Sequence, residues 1–363
     1  MIYIEKGDKV ALPKKFHQRH NISVVLYDLL VDILKNRSRY KGLTSTRIPL
    51  DKESRRIINK IDKGGVHILD YLKDSNRKEE IVTVLTKHVF TSVLHDMTSF
   101  IYESLSCAKK GKMSVAYSLL RKPLTDELVI LEQLFVDKDD FIDRFYFQGA
   151  PNLYDPSAGN LQHEKLNRIT SKAIEKVGLI GPFFKEIVYD LRYNKASVSG
   201  LNGMMNHAHH IVTADKNYKT EDKNLNFVFS MEEDYYRYWN HYYHFVPYLL
   251  IYLSCIADRL AHSLVKVNSN YASLREFKRY LSMLFWVRET SFKSNKSVDK
   301  VFRLLSKGLV TTCNCGNVNK LVEADFKLYF QIDAIPCTKC FENLFRTTDL
   351  TKKISLFFNE DGS

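Results

Sequence analysis

The sequence predicts an all-α helical bundle with a small β appendage near the C-terminus. Apolar residues recur every three or four positions through most of residues 1–307, and no stretch of that range alternates long enough to build a sheet. Eight Pro and 14 Gly among 363 residues are few, which favours long regular elements over many turns. Four cysteines form two close pairs after this range, in a segment of different character.

The apolar periodicity places most of the helices in order along the chain. It predicts helices at 16–35, 51–73, 163–177, 183–193, 231–265 and 272–307. The pair Gly64-Gly65 weakens the second of these, because glycine is a poor helix former. Residues 225–230 are expected to be a short strand or an extended lead-in to the next helix.

The apolar pattern of residues 88–137 predicts two long antiparallel helices joined by a short basic turn. The apolar rhythm is interrupted at Lys109-Lys110-Gly111-Lys112 and resumes at Val115. Pro123 is expected to kink the second helix or to begin a new one, because proline lacks the N–H group that a helix interior needs.

The four cysteines have the spacing of a zinc ribbon. Cys313 and Cys315 form the first pair, and Cys337 and Cys340 form the second after an interval of residues 316–336. Two turns that each present two thiolates supply the four ligands of a tetrahedral zinc ion. Four thiolates leave no open position for water, so we expect a structural Zn²⁺. The first pair is C-x-C where C-x-x-C is usual, so its turn must differ from an ordinary one.

The segment between the two cysteine pairs alternates between apolar and polar residues. The apolar positions are Val322, Ala324, Phe326, Leu328, Phe330 and Ile332. A period of two predicts a half-buried strand from one cysteine turn toward the other. The expected organisation is thus a helical body at 1–307, a zinc ribbon at 308–346 and a C-terminal tail at 347–363.

The net charge of +12 is unevenly distributed. Residues 1–100 hold 19 Lys/Arg against 12 Asp/Glu, and residues 261–312 hold 10 against 3, so each block carries +7. Clustered basic excess with a pI near 9.2 is typical of a protein that binds a polyanion, although a generally basic soluble protein has the same composition. Residues 313–363 carry 6 against 7, which is more typical of a structural or protein-contact module.

Several classes of protein and site find no support in the sequence. The first residues lack the basic and apolar regions of a signal peptide, and the longest apolar stretch, 245–257, is too short to span a bilayer. No glycine-rich phosphate loop, G-x-S-x-G elbow or H-E-x-x-H motif is present. Cys107 and Cys255 lie in apolar helical surroundings and are expected to be buried thiols. Reduced cysteines favour a cytoplasmic protein with no membrane contact.

Residues 88–141 resemble HEPN-type helical domains. The likeness is carried by the helix that contains Arg121-Lys-Pro-Leu-Thr-Asp-Glu127 and by Leu131-Glu132-Gln-Leu-Phe135 and Lys138-Asp-Asp-Phe141 after it. The resemblance implies a small helical bundle, often a homodimer. Many such domains are metal-independent ribonucleases of prokaryotic toxin–antitoxin and phage-defence systems, and others only bind. Their cutting motif is an Arg followed a few residues later by a His.

One helix of this chain matches that cutting motif. Arg237, His241 and His244 fall on one face of the helix predicted at 231–265, although Tyr238 follows the Arg where the family usually has a polar residue. A His can move the 2′-hydroxyl proton of RNA while Arg offsets charge on the phosphate. The alternative is an aromatic-rich core helix whose Tyr and His side chains hydrogen-bond one another.

Two further side-chain groups are candidates for binding. The helix at 231–265 carries eight aromatic residues that could stack on single-stranded bases, although many must pack inside: Tyr235, Tyr236, Tyr238, Trp239, Tyr242, Tyr243, Tyr248 and Tyr252. His207 and His210 could share a second metal, line a polar pocket with Asn202 and Asn206, or pack at a helix end.

Three functions follow from these observations. The first is a zinc-containing, HEPN-like protein that binds RNA or single-stranded nucleic acid, with ribonuclease activity in phage defence or stress response as its extension. The second is a non-catalytic helical scaffold whose zinc ribbon docks a protein partner. The third is an enzyme with a small-ligand pocket near His207–His210. RNA is the favoured partner, because charge, resemblance and the Arg/His helix agree.

Overall fold

Helices dominate the computed structural model, which describes residues 2–49, 67–156, 163–178, 186–197, 200–291 and 295–359. The helices are α1 (His17–Lys35), α2 (Ile68–Asp74), α3 (Lys78–Lys109), α4 (Met113–Arg121), α5 (Leu128–Val136), α6 (Lys138–Ile142), α7 (His163–Val177), α8 (Ile187–Tyr193), α9 (Leu201–His209), α10 (Glu232–Leu264), α11 (Ser269–Thr290), α12 (Lys296–Gly308), α13 (Glu323–Ile332), α14 (Leu344–Thr347) and α15 (Leu350–Asn359). In the part of the chain that is described, the only strands are β1 (Val310–Thr312) and β2 (Val318–Lys320), which pair antiparallel.

Helix α10 runs through the centre of the body. Residues 246–257 of this helix are all buried, because α1, α5, α7 and α11 pack around it. A helix that is apolar on every side belongs in a core. Glu232, Glu233 and Asp234 occupy its first turn, where negative charge favours the positive end of the helix dipole. The first two turns of α10 are thus partly or fully exposed, and the buried residues after them anchor the helix in the core.

The predicted hairpin is formed by α3 and α4. Gly111 takes a φ of +77° in the turn between them, and the Trp239 indole of α10 donates a hydrogen bond to the Ala108 carbonyl at 2.8 Å. Pro123 does not end the second helix. The backbone widens there into a π-helical turn, Lys122–Glu127, and continues as α5. The carbonyl of Leu124 in this turn accepts a hydrogen bond from Arg192 Nε at 2.6 Å, so a buried side chain satisfies it.

Two ion-pair networks are buried among the residues that the structure describes. The Arg192 guanidinium donates to Glu132 Oε1 at 2.6 Å, both side chains are fully buried, and Tyr252 donates to the same oxygen at 2.6 Å. In the second network Arg275 donates to Asp258 at 2.6 Å, and Arg279 also pairs with Asp258. These networks fix the register of α8 against α5 and of α11 against α10, because a buried charge separated from its partner is costly.

Most of the predicted helices are confirmed. Helices at 16–35, 163–177 and 231–265 agree with α1, α7 and α10 to within one residue at each end. The single helix predicted at 272–307 is two, α11 and α12. Of the range 51–73, residues 51–66 lie outside the described residues, and α2 covers part of the remainder. Residues 225–230 form turns, so the strand considered there was wrong, and they lead into α10.

The strand predicted over 322–332 was wrong, because this segment is helix α13. The Asp325 carboxylate accepts a hydrogen bond from the Val322 N–H at 2.8 Å and caps the first turn. Phe326, Tyr329 and Phe330, spaced as one helix face, are buried. Val322 and Ile332, which a strand would have turned inward with Phe326, are 50% and 59% exposed. The appendage is therefore a two-strand hairpin and helices, not a ribbon with a long central strand.

Residues 310–347, which we call the cysteine module, share the hydrophobic core of the helical body. The Phe326 ring of α13 packs against Phe277 of α11 and Phe302 of α12 with centroids 6.0 and 6.1 Å apart. Within the range expected to be a tail, α15 packs on α11 and buries Leu350 and Ile354. Among the described residues, no helix combines the length and apolar character needed to cross a membrane.

Candidate metal centre and nucleic-acid interface

Two backbone turns present the four cysteines. In the first turn the Gly316 N–H donates to the Cys313 carbonyl at 2.8 Å, and the Cys313 N–H donates to Asn317 at 2.9 Å. In the second turn the Phe341 N–H donates to the Cys337 carbonyl at 3.0 Å, and the Cys337 N–H donates to Glu342 at 2.8 Å. The two turns are thus alike, and the C-x-C turn closes one residue earlier. The unusual spacing therefore makes a tighter turn.

The four sulfur atoms have the separation that a single metal ion requires. Cys313 Sγ lies 3.5 Å from Cys340 Sγ, and Cys315 Sγ lies 3.7 Å from Cys337 Sγ. All four lie within 4.8 Å of one another. Tetrahedral metal–sulfur bonds of about 2.3 Å place two sulfurs about 3.8 Å apart, whereas a disulfide bond is about 2.05 Å long. The cysteines are free thiols in a cluster that can hold one metal ion.

Hydrogen bonds to sulfur support this cluster. The Asn319 amide donates to Cys337 Sγ at 3.5 Å, and the Lys339 N–H donates to the same sulfur at 3.5 Å. Burial raises the pKa of the Cys337 thiol, but backbone N–H groups of Cys340 and Lys339 together with Asn319 outweigh it and lower that pKa to about 5. These contacts thus favour the thiolate form of Cys337, which is the form that binds metal.

Two residues that complete the centre were missed by sequence reasoning. Asn319 is 3% exposed, and its Oδ1 accepts from the Thr338 N–H at 2.9 Å, so it ties the two cysteine turns together. The Thr347 hydroxyl lies 3.7 Å from Cys313 Sγ. The only available signal was a polar Asn in the middle of the short segment β2.

Arg237 and His241 line one cavity of about 510 Å³. It lies between α9, the loop 219–230 and the first turns of α10. Arg237 is 78% exposed and pairs with Asp234, while His241 Nδ1 lies 3.0 Å from the Tyr117 hydroxyl. His207 lines the same cavity, and its Nε2 lies 2.5 Å from the Tyr218 carbonyl. The fold therefore joins two sequence candidates, the Arg/His helix and the His207 region.

His244 occupies a different environment. Its ring packs against Phe245 and Trp286, with centroids 4.6 and 5.9 Å away, and it is not among the described residues that line the cavity. Burial lowers the pKa of His244, and the nearby Arg19 lowers it further. The structure therefore brings Arg237 together with His241 and keeps His244 outside that group.

The histidines considered as a second metal site belong to no larger group of metal ligands. Within the described residues, the only group of three or more His, Cys, Asp and Glu side chains close enough to hold a metal is the four cysteines. His209, on the same helix, lies close to Arg121 of α4, and burial and that Arg lower its pKa. Helices α9 and α4 also meet where the Ser118 hydroxyl donates to the Ala208 carbonyl at 3.2 Å. Packing and the shared cavity account for this group.

Most of the tyrosines of α10 are internal. Tyr242, Tyr243 and Tyr252 are fully buried and Tyr248 is nearly so, which leaves Tyr236 with 43% of its surface exposed. Packing was the correct interpretation for the buried four. Tyr236 is the tyrosine of this helix that remains most open to a base.

Two basic segments come together near Tyr236, because the Phe16 ring packs against Tyr236 and the Ala108 carbonyl before the α3–α4 turn is bound by Trp239 of the same helix. We call their surface the basic end, and it comprises Lys9, Lys14, Lys15 and Arg19 of the N-terminal segment and Lys110 and Lys112 of the turn. The Leu12 N–H donates to the Lys109 carbonyl at 3.2 Å, which joins the N-terminal segment to the basic turn. Lys15 Nζ lies 3.4 Å from the centroid of the Tyr236 ring.

The two basic blocks of the sequence meet beside the basic end, but the second adds little to it. Arg19 of the first block donates to the Glu289 carbonyl of the second. Arg288, the neighbouring cation, is engaged with Asp299 and Glu323. Acidic Glu232 and Glu233 flank the surface on α10. The positive charge therefore comes from the N-terminal segment and the α3–α4 turn.

Comparison with protein-family models, with curated proteins and with solved structures finds no match for this chain.

Proposed function

We propose that this protein binds single-stranded RNA through the basic end and holds one structural zinc ion in the cysteine cluster. The observation that carries the proposal is that the hydrogen bond from Leu12 to Lys109 joins the basic turn to the N-terminal segment, whose Lys15 lies on the exposed ring of Tyr236. Cations that follow a phosphate backbone beside an aromatic ring available to a base are the two elements of single-strand recognition.

The cysteine cluster supports zinc as its metal. Four soft thiolate ligands at tetrahedral separations suit zinc, and no carboxylate or imidazole belongs to the set. Four protein ligands leave no position for water, so the ion is proposed to stabilise the turns rather than to catalyse. Its proposed role is to hold together a segment whose two-strand sheet is too small to be stable alone.

Single-stranded RNA is favoured over a duplex by the shape of the basic end. Its lysines lie on a loop, a turn and a helix start rather than along one helix that could enter a groove. Tyr236 is partly exposed beside Lys15, and a base must be unpaired before it can stack on that ring. The HEPN-like pattern of 88–141 favours RNA over DNA.

Photo-crosslinking tests where RNA binds. A single-stranded RNA of about 20 nucleotides containing 4-thiouridine spans one such surface. After irradiation and digestion, we expect crosslinked peptides from 9–19, 109–112 and 235–239. Crosslinks confined to other parts of the chain, or crosslinking no stronger than that of a non-basic control protein, would contradict RNA binding at the basic end.

RNA cleavage is a second candidate function, and the shared cavity favours it. Arg237, His241 and His207 all line this cavity together with Lys219, so a phosphate could meet two cations and two groups able to transfer protons. The HEPN-like resemblance supports a role in phage defence or stress response. In this proposal His241 acts as the proton-transfer group and Arg237 as the phosphate ligand. His244 belongs to the predicted cutting motif but does not line the cavity, so substitution of His244 tests its contribution separately.

A further inference from the structure

Phe341 occupies a backbone position that suits glycine. Its φ is +63°, in the left-handed region that residues with a Cβ rarely adopt. The corresponding residue of the other cysteine turn is Gly316, with a φ of +80°. Both residues follow the second cysteine of their pair, and both donate their N–H to the carbonyl of the first. One turn therefore has the residue that the geometry favours, and the other has a phenylalanine.

Packing does not offset this unfavourable backbone. Phe341 is 78% exposed, the highest value among the large apolar side chains that the structure describes. A phenylalanine with a left-handed backbone conformation gains little stability from its ring when most of that ring remains exposed to solvent. A strained residue beside a ligand-holding turn is a reason to look for a function outside the fold.

We propose that Phe341 stacks on an unpaired base of the single-stranded RNA, which makes the cysteine module a second contact for that ligand. This inference rests on the proposed RNA-binding function. The backbone of Phe341 is fixed by its hydrogen bond to the Cys337 carbonyl, and Cys340 beside it belongs to the sulfur cluster, so an ordered turn presents the ring.

The neighbours of Phe341 favour a base over a protein partner. Along the chain, Thr338, Lys339 and Glu342 beside Phe341 are polar and exposed. A protein interface of ordinary size needs a contiguous apolar centre, whereas a base needs only one face of one ring. Lys339, two residues before Phe341, can contact the phosphate of the stacked nucleotide.

Substitution by glycine separates a binding role from a structural one. Phe341→Gly relieves the backbone and removes the ring, so we expect unchanged zinc content and an equal or higher Tm. The Kd for a fluorescein-labelled single-stranded RNA should rise about 5- to 150-fold, the loss expected for one base stack. Phe341→Tyr keeps a ring and should bind like wild type. Ile332→Ala removes a large side chain that is 59% exposed on the same module and should leave the Kd unchanged.

The outcomes distinguish this inference from the function on which it rests. RNA binding by wild type with an unchanged Kd for Phe341→Gly overturns the inference and leaves the function standing. An equal loss for Phe341→Gly and Phe341→Tyr would also contradict stacking. If wild type binds no RNA at low salt, both fail.

Discussion

The ammonium group of Lys15 lies 3.4 Å from the centre of the Tyr236 ring. At an exposed site such a cation–π contact contributes about 0.5–1 kcal/mol, so it positions the two side chains without locking them. A base that stacks on this face must displace Lys15, and the flexible ammonium can then reach the phosphate of the same nucleotide. One contact of the free protein thus holds both groups that the proposed RNA complex would use.

The metal ligands give the first prediction. We expect one zinc ion per chain in wild type and none in Cys337→Ser/Cys340→Ser, because two thiolates cannot complete a tetrahedral site. Elemental analysis of purified protein measures this, and far-UV circular dichroism should retain most of the helical signal. Cys107→Ser, which changes a cysteine outside the cluster, should keep its zinc. Unchanged zinc in the double variant would refute the ligand assignment.

Cleavage of RNA is tested at the shared cavity. If Arg237, His241 and His207 form a ribonuclease site, His241→Ala should lower the cleavage rate about 10²- to 10⁴-fold by removing proton transfer. Cleavage should persist in EDTA, since these three residues require no metal for the step. His244→Ala is the matched variant, and because its ring lies outside the cavity we expect a smaller loss. Wild-type cleavage rates in both variants would contradict a ribonuclease site here and would leave RNA binding as the proposed function.

The buried pair of Arg192 and Glu132 gives a stability prediction. Arg192→Ala leaves the buried Glu132 carboxylate without its cation and should lower the free energy of unfolding by about 3–5 kcal/mol. Chemical denaturation measures the loss. Arg77→Ala breaks the partly exposed pair with Glu80 and should cost about 1 kcal/mol or less. Equal costs for the two variants would mean that burial does not govern the Arg192 pair.

Glu127 gives a pH-dependent prediction. Burial raises the pKa of this carboxyl to about 8, assisted by Asp96 and opposed by Lys122. A raised pKa means that the folded state favours the protonated form. Glu127 therefore supports folding at low pH, and this support is lost as pH rises from about 4.5 to 8.

Glu127→Gln keeps the neutral shape and should remove that loss. We expect its Tm to exceed the wild-type Tm by about 2–4 °C at pH 9 and to approach it near pH 5. Glu79→Gln changes an exposed acid on the same helix as Asp96, and its Tm should differ little from the wild-type Tm at either pH. A Tm difference that does not grow with pH would contradict a neutral Glu127 in the folded protein.

The sequence predicted elements whose signal is local and missed those that depend on packing. Helix α7 was predicted residue for residue because its apolar face repeats over four turns. Segment 322–332 was ambiguous, since Phe326 and Phe330 fit a period of two as well as a helix. The Asp325 cap and the aromatic surface of α11 decide it, and the latter is not visible in the segment itself.

The same distinction holds for the candidate sites. The cysteine cluster could be predicted because two close pairs of cysteines are visible in the spacing along the chain. The cavity could not, because His207 joins Arg237 only through the packing of α9 beside α10. Counting charge by blocks also concealed Lys110 and Lys112, which belong to a block with a net charge of −1 but follow Lys109, whose carbonyl is bonded to the N-terminal segment at Leu12.

The salt dependence of RNA binding tests the central claim most directly. The Kd for a single-stranded RNA should be measured between about 50 and 200 mM salt for wild type and for Lys15→Ala/Lys110→Ala/Lys112→Ala. Lys73→Ala/Lys138→Ala/Lys172→Ala removes the same charge from exposed lysines of α2, α6 and α7 and serves as the control. We predict weaker binding and a log–log slope shallower by about 2 for the first variant, with wild-type values for the control. Equal slopes and affinities in all three proteins would contradict RNA binding at the basic end.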